Sequence, residues 1–266
     1  MYKVSDIINE VERLAPLTLQ EDFDNAGVQV GDITQLASGV LLCLDITEEV
    51  LDEALDTGCN LIISHHPLAF KAFKSLTGKS YIERCMIKAC KHDLVIYAAH
   101  TNLDNAPGGV NHQLADMLGL QKVQVLAPQK HLLTDQLGEI GSGVVGTLLD
   151  DIDELSFLQQ LKTVFRVSCI KHSPLTGRKI GKVAVCGGSG AFLIEQAIES
   201  GADIFITGEA RYNDYYNVED RILLAVVGHY ESEVCTKDIF YHLLTKKFPT
   251  FAVHFSNVNS NPVKYL

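Results

Sequence analysis

The chain has 266 residues, with 22 Lys and Arg against 33 Asp and Glu, and a formal charge of −11. Hydrophobic residues make up 47% of it and charged residues 21%, an ordinary globular balance that excludes wholesale disorder. The acidic excess speaks against a nucleic-acid or anionic-membrane binder, which needs a basic face, and no run reaches the roughly 20 apolar residues of a spanning helix.

Residues 1–19 are amphipathic and carry Asp6, Glu10, Glu12 and Arg13, so no secretory leader is expected there. The seven cysteines are scattered without a CxxC pair, and Cys43 and Cys186 lie in apolar runs, which fits free thiols in a reducing cytoplasm. Residues 3–14 place apolar side chains at 4, 7, 8, 11 and 14, the spacing of a helix. Strands are expected at 40–45, 60–64 and 94–99, with helices at 47–57, 80–92 and 108–119. A strand at 143–149, a helix at 155–165 and a strand at 166–171 are expected in a less regular middle. Strands at 182–186, 203–207 and 223–227 and helices at 190–200 and 232–246 complete the pattern. Strands alternating with helices imply βαβ units and an α/β architecture with right-handed crossovers.

The chain also repeats itself. A shift of 143 aligns residues 40–66 with 183–209, placing Cys43 on Cys186, Gly58 on Gly201 and Ile63 on Ile206. A shift of 129 aligns 94–104 with 223–233, placing His100 on His229 and Asp104 on Glu233. The expectation is two similar α/β lobes from an internal duplication, with a site in the cleft between them. Their bounds read as 1–125 for the first lobe, 126–180 for a connecting segment that begins the second, and 181–266 for the second lobe.

Three histidine clusters follow expected strands, at the carboxyl ends where ligand sites of α/β sheets assemble. They are His65-His66-Pro67, His100 with Asp104 four residues on, and His229 with Glu233 four residues on. Imidazoles with carboxylates suit Zn²⁺, Mn²⁺, Fe²⁺ or Ni²⁺, whereas Ca²⁺ takes oxygen alone. His65, His66, Asp104, His229 and Glu233 make five ligands, one too many for a structural zinc, so two divalent ions are the natural reading. Gly187-Gly188-Ser189-Gly190 fits neither a dinucleotide fingerprint nor a P-loop. It reads as a tight turn with Ser189 capping the next helix. No cofactor other than metal is expected. His92, His112, His131, His172, His242 and His254 read as surface or core residues, and Tyr212, Tyr215 and Tyr216 as a packed or cleft-lining helix face.

In combination and order these motifs resemble the NIF three-like family, also called GTP cyclohydrolase type-two homologues. The resemblance spans nearly the whole chain. It is carried by Glu21-Asp22-Phe23-Asp24-Asn25-Ala26-Gly27, Ser64-His65-His66-Pro67 and His100-Thr101-Asn102-Leu103-Asp104. Cys186-Gly187-Gly188-Ser189-Gly190, Thr207-Gly208-Glu209 and Gly228-His229-Tyr230-Glu231-Ser232-Glu233 continue it. It implies two related lobes, a dinuclear centre held by His65, His66, Asp104, His229 and Glu233, and Glu233 as the bridge. It further implies that His100 neighbours the metals, and that six subunits assemble into a toroid with the sites facing inward. Members often have Trp where Phe23 stands, and histidines where Ala210-Arg211-Tyr212-Asn213 follows Glu209. Longer members carry an inserted domain for which this chain has too few residues near 125–145.

The expected function is therefore a metal-dependent hydrolase of a small molecule, GTP ring opening being the chemistry the family's name suggests, with His100 or Glu231 moving protons. The alternative is a non-catalytic ring that stores metal, or that serves as a scaffold or regulatory interaction protein.

Overall fold

The stripe Val4, Ile7, Ile8 and Val11 is buried on one side of helix α1 (Val4–Leu14), and Asp6 turns back to accept the Lys3 backbone N–H at 2.8 Å. The computed structural model describes residues 1–129 and 138–266, so His131 lies outside the described residues. They form two compact units, Met1–Leu103 with Thr236–Leu266, and Asp104–Cys235. These bounds run differently from divisions at 125 and 180, because the chain's last helix and strand pack with the first unit's elements.

In the first unit, β1 (Gly27–Val30), β2 (Val40–Cys43), β3 (Leu61–Ser64), β4 (Val95–Ala98) and β11 (Val253–Phe255) build one sheet, in the order β1-β4-β3-β2-β11. Strands β2, β3 and β4 run parallel, joined by α2 (Glu48–Asp56) and α3 (Tyr81–Lys91). Every residue of those three strands is buried, as a parallel sheet covered on both faces requires. The caps explain where the helices start: Thr47 accepts the Val50 N–H at 3.3 Å and Ser80 the Glu83 N–H at 3.2 Å. The short helix α4 (Thr101–Asn105) follows β4, and α10 (Thr236–Lys247) returns to pack on α1 and β2.

The second unit holds α5 (Val110–Met117), β5 (Gln121–Pro128), β6 (Gly141–Asp153), α6 (Glu154–Val164), β7 (Lys171–His172) and β8 (Lys179–Cys186). It continues through α7 (Ile194–Glu199), β9 (Ile204–Thr207), α8 (Asp214–Asn217), β10 (Leu223–Val226) and α9 (His229–Glu233). Its sheet order is β5-β6-β8-β9-β10-β7, with β8, β9 and β10 parallel. Phe205, Leu224, Ala184 and Ala197 lie in its apolar core.

The sheet registers keep the sequence repeat in part. Val40 pairs with Leu61 as Val183 pairs with Ile204, the same shift of 143 on both strands. The third strands are offset by one: Ser64 faces Ala98, whereas Thr207 faces Val226 rather than Val227. The extra residue falls before His229, where Gly228 takes φ 109°, a conformation that side chains with a Cβ rarely adopt.

Three expectations need correction. The strand at 166–171 is reduced to β7, because Arg166 at φ 56° ends α6 in a left-handed turn. The helix at 190–200 opens as a 3-10 turn, Gly190–Leu193, before α7. The helix at 232–246 is two helices, α9 and α10, separated at Val234 and Cys235. Among the described residues, no helix is long and apolar enough to cross a membrane.

Candidate metal centre

In the first unit, the ladder continues past β3 and β4 through Ala99 N–H to Ser64 O at 3.0 Å, so the chain stays extended as it delivers His65 and His66. His65 is fully buried, and its Nδ1 lies 2.8 Å from Ala99 O. His66 is half-buried, its backbone N–H donates to Leu44 O at 3.0 Å, and its Nδ1 lies 2.7 Å from Asp45 Oδ1. His100 Nδ1 lies 2.8 Å from Asp24 Oδ1. The three rings approach with centroids 5.0, 5.2 and 5.4 Å apart, and each offers a ligand atom within 4.8 Å of the others.

The oxygen at each Nδ1 matters chemically. A carbonyl or carboxylate there holds the proton on Nδ1 and leaves the lone pair on Nε2, the arrangement found behind metal-binding imidazoles. Asp24 is itself held: its Oδ2 accepts the Thr101 N–H at 3.0 Å and the Thr101 hydroxyl. Burial alone would raise the Asp24 carboxyl, but the bonds from His100 and Thr101 overcome it and bring its pKa down to about 2. Asn102 fixes the turn, accepting the His100 N–H at 2.8 Å and donating to Ala15 O at 2.7 Å.

In the second unit, the four-residue spacing on α9 puts His229 and Glu233 on one face, with Nε2 and Oε2 3.0 Å apart. Glu231, two residues from each, does not share that face. His229 Nδ1 lies 3.0 Å from Glu209 Oε1, and the Ser189 hydroxyl donates to Glu209 Oε2 at 2.6 Å. Ser189 therefore does not cap the following helix as expected. The Ser189 bond is the main reason the Glu209 carboxyl is held below its ordinary range, with His229 helping and burial opposing.

Glycine is required beside Glu233. Gly188 has φ 58°, and a Cβ there would stand 2.1 Å from Glu233 Oε1. Its N–H donates to Ser232 Oγ at 2.9 Å, and Ser232 Oγ donates to His229 O at 2.8 Å. The glycine turn thus shapes a cradle for the Glu233 carboxylate. Asp104 on α4 brings a carboxylate oxygen within 4.8 Å of one from Glu233. Asn111 ties this corner together, donating to Asp104 O at 3.1 Å and accepting the Gly187 N–H at 3.0 Å. The Cys186 thiol registers both acids, pushed up first by burial and then by the Asp104 and Glu233 charges. Two close carboxylates with Glu233 only 3% exposed repel each other unless a cation or proton lies between them.

The structure thus gathers His65, His66 and His100 in one unit and His229, Glu233 and Asp104 in the other. Sequence reasoning missed Asp45, Asp24 and Glu209 as the groups that orient the histidines. Asp45 had a usable signal, two residues past a strand end; Asp24 and Glu209 had only their places in longer motifs. Tyr212 and Tyr216 form an exposed pair with hydroxyls 3.1 Å apart, and Tyr215 packs on the second unit's core. His112 is half-buried on α5, and burial pulls its pKa down.

A mixed α/β chain with two sheets and His and Glu groups that can hold a metal ion is the class this fold and site define. The chain belongs to the Duf34/NIF3 (NGG1p interacting factor 3) family, whose model matches residues 2–262. A protein of Clostridium perfringens named GTP cyclohydrolase 1 type 2 homolog is 36% identical over 234 residues, covering 87% of each chain. Its namesake in Clostridium acetobutylicum is 34% identical over 233 residues, 87% of this chain and 85% of that one. The crystal structure of a Staphylococcus aureus hypothetical protein, SA1388, superposes with a TM-score of 0.90 at 29% identity, covering 99% of both chains.

Proposed function

We propose that the chain is a metal-dependent hydrolase with a dinuclear centre, for which His65, His66, Asp104, His229 and Glu233 would be the ligands. The observation that carries this reading is the set of oxygen acceptors behind the imidazoles: Ala99 O, Asp45 and Glu209 each hold an Nδ1 and turn Nε2 toward coordination. Three imidazoles and two carboxylates fit two ions such as Zn²⁺, Mn²⁺, Fe²⁺ or Ni²⁺ and leave coordination positions for a substrate. When bound, paired divalent ions would lower the pKa of water and polarise a substrate oxygen.

His100 stands beside the ligands with its Nδ1 proton held by Asp24, so its Nε2 is the atom suited to accept and return a proton during turnover. Gly188 leaves room for the Glu233 carboxylate, and His65 is fully buried. The relatives' name suggests GTP as a substrate, with ring opening and loss of formate. Assembly into a ring of six copies belongs to the same proposal.

The test is metal analysis followed by turnover. Protein loaded with Zn²⁺, Mn²⁺, Fe²⁺ or Ni²⁺ is expected to retain two ions per chain and to release formate from GTP. Glu233→Ala is expected to lose both. Full loading with no turnover of GTP, other nucleotides, phosphoesters or amides would sink the hydrolase and favour a metal store or scaffold.

A further inference from the structure

After β11 the chain forms no further helix or strand, yet its last residues are tied down step by step. The Ser256 N–H donates to Leu42 O at 2.8 Å, extending the pairing of β11 with β2 by one residue. The Ser256 hydroxyl and the Asn257 N–H and amide donate to the Glu53 carboxylate on α2 at 2.5, 2.9 and 3.0 Å. Two asparagine turns follow: Asn259 accepts the Asn261 N–H at 3.1 Å, and Asn261 accepts the Val263 N–H at 3.0 Å. Between them, the Ser260 hydroxyl donates to Asp45 Oδ2 at 2.7 Å. The other oxygen of that carboxylate, Oδ1, lies 2.7 Å from His66 Nδ1.

A terminal segment ordinarily frays unless something fixes it. Here it is fixed so that one hydroxyl meets a carboxylate 215 residues away in sequence, and that carboxylate faces a histidine. The second unit contains the same arrangement: Ser189 donates to Glu209 Oε2, and Glu209 Oε1 meets His229 Nδ1. In both, the serine occupies one carboxylate oxygen and so directs the other. A directed acceptor sets the tautomer and ring plane of the imidazole and raises the basicity of its Nε2.

We propose that the C-terminal segment is a working part of the metal centre: Ser260, through Asp45, positions His66 for coordination by Nε2. Ser260 is a positioning residue that touches neither substrate nor ion. The inference rests on the reading of His66 as a ligand.

The experiment compares the full chain with Ser260→Ala, Ser260→Thr and Asp45→Ala by chelator competition and by the visible spectrum of the Co²⁺-loaded protein. Asp45→Ala is expected to weaken metal binding by about 10–100-fold, the usual cost of removing the partner behind a ligating histidine. Ser260→Ala is expected to weaken it several-fold and to shift the Co²⁺ bands, while Ser260→Thr, which keeps the hydroxyl, stays close to the parent. Unchanged affinity and spectrum in Ser260→Ala beside a weakened Asp45→Ala would overturn the role of the tail. So would a threonine variant as weak as the alanine one. A parent chain that binds no Co²⁺ would instead remove the metal reading, and this inference with it.

Discussion

At the scale of single residues, Gly188 and Asp24 make the sharpest demands. Any Cβ at Gly188 collides with Glu233 Oε1, and the φ of 58° adds a backbone cost of about 1–3 kcal/mol for a residue other than glycine. Gly188→Ala must therefore displace the carboxylate, and it is expected to lower metal affinity at least about tenfold while leaving the far-ultraviolet dichroism of the chain intact. Equal metal retention by the two proteins after dialysis would contradict this. Asp24 makes a pH prediction. Its folded pKa of about 2 lies below the ordinary 3.8, so as pH falls the unfolded chain takes up the proton first. The stability contributed by the charged form is full above about pH 4 and is lost as pH falls toward 2, on the order of 1 kcal/mol after allowance for solvent screening. In urea titrations, Asp24→Asn should be less stable than the parent at pH 6, and the gap should close between pH 4 and 2. A constant gap would place the role of Asp24 elsewhere.

Elements show why some of the molecule was legible in the sequence and some was not. Strands β2, β3, β4, β9 and β10, and residues 183–186 of β8, announce themselves because burial on both faces makes them continuous apolar runs. The histidine motifs follow such strands, so the ligand candidates came with them. The strands β1 and β11 carry exposed residues such as Val28 and Phe255 at sheet edges and have no such signature. The acids behind the histidines were hidden for another reason: the partner of His100 is 76 residues away and that of His66 is 21, distances no local pattern encodes. Caps, by contrast, are local and readable. Asp153 accepts the Ser156 N–H at 3.0 Å to start α6, and α6 buries Phe157, Leu158 and Leu161. Asp153→Ala is expected to cost about 1 kcal/mol, read as a lower urea midpoint with an unchanged slope. No change would mean that β6, which runs directly into α6, fixes the helix start by itself.

For the whole molecule, charge links the two proposals, metal loading and assembly. Each chain carries −11, so six copies in the proposed ring would repel one another, and more strongly at low salt, where the screening length grows beyond about 10 Å. Two divalent ions per chain, as proposed, would add four positive charges and bring each chain from −11 to −7. Carboxylates such as Glu233 and Asp104 would then face cations instead of each other. Loading should therefore favour the ring most where screening is weakest. Native mass spectrometry of the loaded protein is expected to show a species near six times 29.2 kDa carrying two ions per chain. Removing the ions with a chelator should shift the population toward smaller species at low ionic strength, and added salt should partly restore the ring. A single-chain mass at every salt and metal level would exclude the ring while leaving the ligand set to stand on its own. A ring indifferent to chelation at low salt would mean that subunit contacts, and not the charge at the metal centre, decide assembly.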